Sequence, residues 1–415
     1  MSYVTLFLIS FICIFLMDVI NQITLIFGSP GWILTLLLLL NVCSVIGMLV
    51  ISRKFGWKNK VPAFGMLSIK VYWSWSFLTI LHGISGVNDY WDWKALMTSY
   101  LPSVLISLTL FIGINIEKCR YLFKFILSRV FLVSIFIIPF AMTYSEELYA
   151  RSVMPICLFV LFLPYLPVRW RYFVSGIALT SIFMDMTYRS NVLRLLVPTV
   201  LVITYYFRFL INKKILNIAL ISLLGMPLIL LTLGLSGIFN VFEENSLDYE
   251  RTITLGGQVS ESNIGADTRT LLYSEVIDSM LKKGSSFIYG EGGSAGYETN
   301  IFLIVNEKER YRAEVGFLNT LLYSGGVGVF AYGLILLVPA FYGVNRSNNY
   351  LAKMIGIFLA FRWLMFFLED VAQFDMNFFT LWLMIGMCLS NRFRSMTDAD
   401  LVSYFSWKNI KQSFN

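Results

Sequence analysis

Three arginines carry the first chemistry this sequence offers: Arg189, Arg194 and Arg269. Arg189 ends the apolar run in FMDMTYRSNVLR. An arginine at the centre of a membrane span costs about 2.5–3.5 kcal/mol, and less near the end of the span. Such a residue is placed for a partner. Asp185, four residues earlier on the same helix face, is one; a bound anion is the other. Arg194 lies five residues on and points to another face. Its position fits a side chain that snorkels to the interface, or one that contacts an anion. Arg269 belongs to DTRTLLYSEVIDSMLKKG and falls in the first turn of a predicted helix. A cation there opposes the helix dipole. A bound anion removes the conflict, because free N–H groups and the guanidinium converge on it. The alternative is an exposed arginine paired with an acid such as Glu275.

Other residues carry weaker signals. Glu314 stands where a polar segment returns to an apolar one. A carboxylate at a membrane edge can act as a general base, or it is a solvated charge or a partner of Arg312. FIYGEGGSAG (287–296) loosely resembles a phosphate cradle, but it lacks a GK[ST] ending and a preceding strand, so a tight turn is expected. Gly325, Gly326 and Gly328 suggest close helix packing. Glu369, Asp370 and Asp375 suit sugar hydroxyls or arginine partners. Trp91 and Trp93 in NDYWDWK fit an interface belt or a sugar platform. The five cysteines include no CxxC pair, and His82 is the single histidine. A disulfide framework and a His/Cys metal site are therefore not expected.

These residues need a scaffold, and composition specifies its kind. The 415 residues are 57% hydrophobic and 14% charged, with a mean hydropathy of +0.72. Soluble domains carry about 25% charged residues. Apolar runs recur at 3–26, 31–51, 62–82, 99–116, 125–144, 153–168, 172–188, 195–211, 215–237, 315–340, 354–368 and 375–391, which gives about twelve spans. The expected fold is all-α: a polytopic transmembrane helix bundle. The +7 net charge sits in short loops, where it orients spans rather than binding nucleic acid. The rich loops hold Arg53, Lys54, Lys58 and Lys60; Lys118, Arg120 and Lys124; Arg169 and Arg171; Lys213 and Lys214; and Arg346 and Lys353. That side reads as cytoplasmic, with both termini and the 392–415 tail. MSYVTLFLISF has no basic n-region and reads as the first span, not a signal peptide.

Residues 238–314 then form one large outer loop between spans 1–237 and 315–391, which the resemblance named below makes periplasmic. Within it, 243–267 shows no periodicity, whereas an amphipathic helix is expected near 268–283. Leu272, Val276 and Met280 recur at helical spacing, Asp267 is the expected cap, and Lys282-Lys283-Gly284 is the stop.

The pattern resembles the bacterial lipid-linked oligosaccharide polymerases and O-antigen ligases. The resemblance rests on four features: the span count, the late outer loop, the span-end arginine in MTYRSNVLRLL, and TRTLLYSEVIDSMLKKGSSFIYGEGG followed by EVGFLNTLLYSGGVGVF. Ligases of this family carry a histidine at the start of the returning helix. Here Glu314-Val315-Gly316 stand there, which favours the O-antigen polymerase (Wzy-type) branch.

The resemblance implies a glycosyltransferase of the bacterial inner membrane that acts at its periplasmic face without cofactor or metal. Donor and acceptor would be undecaprenyl-pyrophosphate-linked oligosaccharides, and a chain-length regulator protein is an implied partner. Arg189 and Arg269 would clamp the pyrophosphate, with Arg194 as a third cation. Glu314 would deprotonate or orient the acceptor hydroxyl, and Tyr273 and Arg312 would contact sugar or support the residues that do. The other readings are a ligase that transfers glycan to lipid A core, and a flippase without chemistry. For the last, Asp18, Lys70, Arg129 and Arg362 are the deep charges, scattered along the chain.

Overall fold

The computed structural model describes residues 8–16, 60–130, 156–184, 189–235, 250–255, 258–263, 268–299 and 309–406, with isolated helical positions between 20 and 50. The described chain is mostly helical. Its elements are α1 (Ala63–Ser85), α2 (Tyr90–Ile114, with a π turn at Leu96–Tyr100), α3 (Ile116–Phe125), α4 (Ile156–Leu161), α5 (Val168–Met184), α6 (Arg189–Tyr206) and α7 (Lys213–Leu235). After these come α8 (Thr268–Lys282), α9 (Gly316–Asn345), α10 (Tyr350–Leu368), α11 (Met376–Leu389), α12 (Asn391–Ser395) and α13 (Asp398–Phe405).

Helices α1, α2, α7, α9 and α10 are long and apolar enough to cross a membrane. Leu67, Phe77 and Leu78 on α1, and Ile218, Ile221 and Ile229 on α7, are each more than half exposed. An apolar surface of this extent suits lipid rather than water. The expected span at 153–168 takes a different form. Helix α4 ends at Leu161, and a short 3-10 turn, Leu163–Tyr165, precedes Pro167 and α5. Prolines at 164 and 167 withhold the backbone donors that a longer helix needs.

The segment between α7 and α9 contains more than helix. Glu250–Leu255 (β1) pairs antiparallel with Gln258–Asn263 (β2), so residues expected to lack regular structure form a hairpin. The reason is readable afterwards: Thr252, Ile253, Thr254 and Val259 are β-branched, and Gly256-Gly257 separates the paired Leu255 and Gln258. A second ribbon joins Tyr297–Glu298 (β3) to Glu309–Arg310 (β4). Helix α8 buries Leu272, Val276 and Met280 completely, against Leu96 and Tyr100 of α2 and Leu318 and Leu322 of α9. It stops at Gly284, whose φ is +66°, and Ser285 N–H donates to Met280 O at 2.9 Å. The expected cap, Asp267, lies outside the described residues.

Helix α9 packs lengthwise on α10 and α1, and it is broken. Gly325 has φ 64° and ψ −169°, which only glycine adopts readily. The glycine-rich segment repairs the break. Glu291 and Gly292 N–H donate to Leu322 and Tyr323 O at 2.8 and 3.0 Å. In return, Gly326 and Val327 N–H donate to Phe287 and Ile288 O at 2.8 and 3.2 Å. Trp75 Nε1 donates to Ser324 O at 2.9 Å, and Ser324 Oγ meets Thr79 Oγ1 at 3.2 Å and Tyr100 OH at 3.0 Å. Of the glycines expected to mark helix packing, Gly325 marks a helix interruption instead.

From Gly326 to Asn345, α9 spans about 20 residues, or about 30 Å of rise, the thickness of a bilayer core. Beyond Asn345 lie Arg346, Lys353, Arg392 and Arg394, and Asn391 N–H donates to Lys60 O at 3.0 Å. This is the basic end of the bundle. The break stands at the opposite, loop-bearing end. The part of α9 before the break turns across that end: Gly316 is so close to Asp370 that a Cβ would stand 1.8 Å from its carbonyl oxygen. A straight α9 would carry Gly316 about 24 Å past Tyr332, yet Tyr332 packs at 4.6 Å on Phe366, four residues before Asp370.

The break predicts that Gly325→Ala is strongly destabilising. Its Cβ would lie 2.3 Å from Ile288 O at a left-handed φ, a strain of about 1–3 kcal/mol before any hydrogen bond is lost. Gly176 and Gly225 have open space around them, so Gly→Ala there should leave thermal unfolding in detergent unchanged or slightly raised. An unshifted unfolding temperature for Gly325→Ala would refute the repaired-break account.

Candidate functional site

At the loop-bearing end three buried charges meet. Arg194 comes from the second turn of α6, Arg362 from α10, and Asp370 from the turn after α10. Arg194 Nη2 lies 2.8 Å from Asp370 Oδ1, and Arg362 Nε lies 2.6 Å from Asp370 Oδ2. Arg362 Nη1 donates to Asn377 Oδ1 at 2.6 Å, and its guanidinium sits 5.5 Å over the Phe378 ring. Arg362 Nη2 has no hydrogen-bond partner among the described residues. The side chains of Arg362 and Asp370 are 3% and 1% exposed, so water screens this pair little. Arg194 also feels Glu369 and Asp375, which are half-buried at the rim of the cluster. Asp375 is partly committed, because it caps α11 by accepting from Phe378 N–H at 2.7 Å.

The sequence-predicted residues distribute around this cluster unevenly. Arg194 belongs to it and does not snorkel: a carboxylate within reach removes the reason to reach for water. Arg362 and Asp370 belong to it as well, so a deep charge that looked scattered has partners. Arg189 opens α6 and Arg269 lies in the first turn of α8, but their side chains fall outside the described residues, as do Asp185 and Asp18. Lys70 and Arg129 are exposed and apart from the cluster.

Tyr273 donates its hydroxyl to Phe367 O at 2.7 Å. Burial raises its phenol pKa, so it stays a donor, and the bond fastens α8 over the end of α10. Phe317 stacks on Phe367 at 4.7 Å and packs on Tyr273 at 6.1 Å, closing the space between α8, α9 and α10.

Glu314 lies on the other side of the returning segment. It is 56% exposed and ion-paired with Arg310 at 3.0 Å, not with Arg312. It therefore faces water. Arg312 acts electrostatically on Tyr323, whose hydroxyl donates to Tyr311 O. The turn into α9 is held by Asn319: its Oδ1 accepts from Ala313 N–H at 2.8 Å, and its Nδ2 donates to Ala313 O at 2.6 Å and Val315 O at 3.1 Å.

Sequence reasoning missed Arg362 as a member of the site, and the signal available was thin. An arginine inside FLAFRWLMFFLED is costly enough to require a carboxylate, and Asp370 follows eight residues later. Two buried guanidinia around one carboxylate, with acids at the rim, can hold an anionic group by exchange with Asp370 and can take a proton at the rim. No protein-family model matches the chain, and no curated protein or solved structure is significantly similar to it.

Asp370 is the shared partner, so its loss leaves two buried cations without their common counter-ion. Asp370→Asn should cost about 3–5 kcal/mol. Arg194→Met should cost less, because Asp370 keeps Arg362. Thermal unfolding in detergent tests the order. Equal costs would show that the carboxylate is not the hub.

Proposed function

We propose that the chain is a surface-polysaccharide polymerase of the O-antigen type. It would join undecaprenyl-pyrophosphate-linked oligosaccharides at the periplasmic face of the bacterial inner membrane. The observation that carries this reading is the buried Arg194–Asp370–Arg362 cluster beneath α8, at the end of the bundle opposite the basic loops. In this reading the basic end is cytoplasmic, the loop-bearing end is periplasmic, and the spans number about twelve.

Backbone positions support a cationic site there. Arg189 opens α6 about 7.5 Å along the axis from Arg194. Arg269 precedes Tyr273 by one helical turn, and Tyr273 is bonded to the end of α10. Arg194 and Arg362 thus meet at Asp370, and Arg189 and Arg269 lie on the two helices that Arg194 and Tyr273 fasten to this end of α10. A sugar donor outside the cytoplasm must arrive already activated, and a lipid pyrophosphate provides that activation. A hydroxyl of one repeat unit attacks the anomeric carbon of another. The bond from that carbon to the pyrophosphate oxygen breaks, and undecaprenyl pyrophosphate leaves with the electron pair. Arginines stabilise the charge that develops on the leaving group. The acceptor proton passes to a carboxylate. Glu314 is the residue the resemblance nominates, and Glu369 stands nearer the arginines.

Purified protein in lipid, given undecaprenyl-pyrophosphate-linked repeat units from its host without nucleotide, should yield a ladder of longer glycans. Arg189→Ala and Arg269→Ala should each lower the rate about 10²-fold or more. Full polymer output from Arg269→Ala at normal protein levels would end the clamp assignment. Glycan transferred only to added lipid A core would make the chain a ligase. Movement of intact substrate without bond formation would make it a flippase.

A further inference from the structure

The strap that repairs the break in α9 turns its side chains away from the helix it repairs. Phe287, Ile288 and Tyr289 are 37%, 58% and 58% exposed. They cannot fold inward, because the backbone beneath them is seated on α9. Phe287 and Ile288 O accept from Gly326 and Val327 N–H, and a Cβ on Gly290 would stand 2.6 Å from Gly325 N. Leu281, in the last turn of α8, is exposed as well.

Scattered apolar side chains on a water-facing turn are ordinary. The backbone of this turn is what sets it apart: six consecutive N–H groups find acceptors inside the protein. Ile288 and Tyr289 N–H both donate to Ser286 Oγ at 3.3 Å, and Gly290 N–H donates to Ser286 O at 2.8 Å. Glu291, Gly292 and Gly293 N–H donate to Leu322, Tyr323 and Thr79 O. Water would supply acceptors to an exposed turn at no cost; beside lipid each acceptor must come from the protein. The polar side chains just before the turn are also engaged. Ser285 Oγ donates to Glu291 Oε1, and Lys283 Nζ lies 2.9 Å from Glu309 Oε1.

The level of the strap agrees with lipid contact. Its bonds to Gly326 and Val327 put Phe287 and Ile288 about 30 Å from the basic end of α9, at the edge of a bilayer core. On one side, Phe330 of α9 is 63% exposed, one helical turn deeper. On the other side the strap runs along the last turns of α1. Gly293 is bonded to Thr79 there, and Ser294 Oγ donates to Gly83 O at 2.9 Å. At that level Leu78 and Leu81 of α1 are exposed, and Tyr289 packs at 6.0 Å on Trp75. The exposed strap residues thus continue the lipid-facing surfaces of α1 and α9 across the gap between them.

We infer that Phe287, Ile288 and Tyr289 form a wedge inserted into the membrane leaflet at the loop-bearing end, with its lipids as the partner. Tyrosine suits the boundary between acyl chains and headgroups, and phenylalanine and isoleucine suit the acyl side. The wedge keeps water from the outer side of the α9 break. It also holds α8 at the membrane surface over the charge cluster, whatever reaction the chain performs.

The test uses the full chain in nanodiscs, with a nitroxide on Ile288→Cys in a Cys43→Ser background, the other four cysteines being buried. Molecular oxygen concentrates in the bilayer, and a nickel chelate stays in water. The label at 288 should collide more with oxygen than with nickel, as a label on Phe330→Cys does. A label on Asp278→Cys, at an exposed position of α8, should show the reverse order. Ile288→Asp should lower the unfolding temperature in nanodiscs, while Ile288→Leu leaves it unchanged. The label carries the test even where Ile288→Asp fails to fold.

A label at 288 that behaves like the one at 278 puts the strap in water and overturns the wedge. Low collision with both reagents overturns it too, because another protein surface, such as a second copy, then covers the strap. A native unfolding temperature for Ile288→Asp has the same force. None of these readouts involves glycan, so the wedge and the polymerase reading fail separately.

Discussion

A helix that breaks next to lipid must find partners for the backbone groups it releases, because no water is there to take them. The architecture at the loop-bearing end follows from this constraint. Gly325 interrupts α9, and Phe287 to Gly292 supply both the carbonyls and the N–H groups that the interruption needs. The exchange is reciprocal, so neither segment is satisfied alone. It explains why FIYGEGG is rich in glycine without cradling a phosphate: Gly290 has φ +74°, and any Cβ there would stand 2.6 Å from the α9 backbone. The same exchange holds the polar segment against the membrane helices.

The break also redirects the chain. The first part of α9 crosses the bundle end and brings Gly316 against Asp370. Tyr273 ties α8 to α10 from above, and Phe317 fills the space between them. The Arg194–Asp370–Arg362 cluster is thus enclosed by elements positioned through a backbone repair some distance away. Low dielectric inside that enclosure makes the charges interdependent. It also makes their arrangement sensitive to whatever displaces Asp370.

Much of the local structure was legible in the chain. Helix α8 announced its buried stripe through Leu272, Val276 and Met280, because period 3.6 survives in any context. The β1–β2 hairpin was legible but overlooked: two glycines between β-branched runs are a strong local signal. The pairing of Glu314 with Arg310 rather than Arg312 was not legible, since it depends on how the β4 segment turns into α9. Tyr273 could be nominated from its place in the loop helix, but its bond to Phe367 O needs α10 beside it.

Composition and periodicity by themselves determined that apolar helices dominate, that several are long enough to cross a bilayer, and that a polar segment with its own helix interrupts them. These are sums over local preferences and transfer energies, which need no knowledge of neighbours. Only the tertiary structure decided that Gly325 breaks α9, that Arg194 is buried rather than snorkelling, and that Arg362, 168 positions later, shares its carboxylate. The physical reason is that an ion pair and a backbone repair are bonds between distant segments. Their partners are chosen by the packing of helices in space, and residue type at one position carries only the need for a partner, not its address.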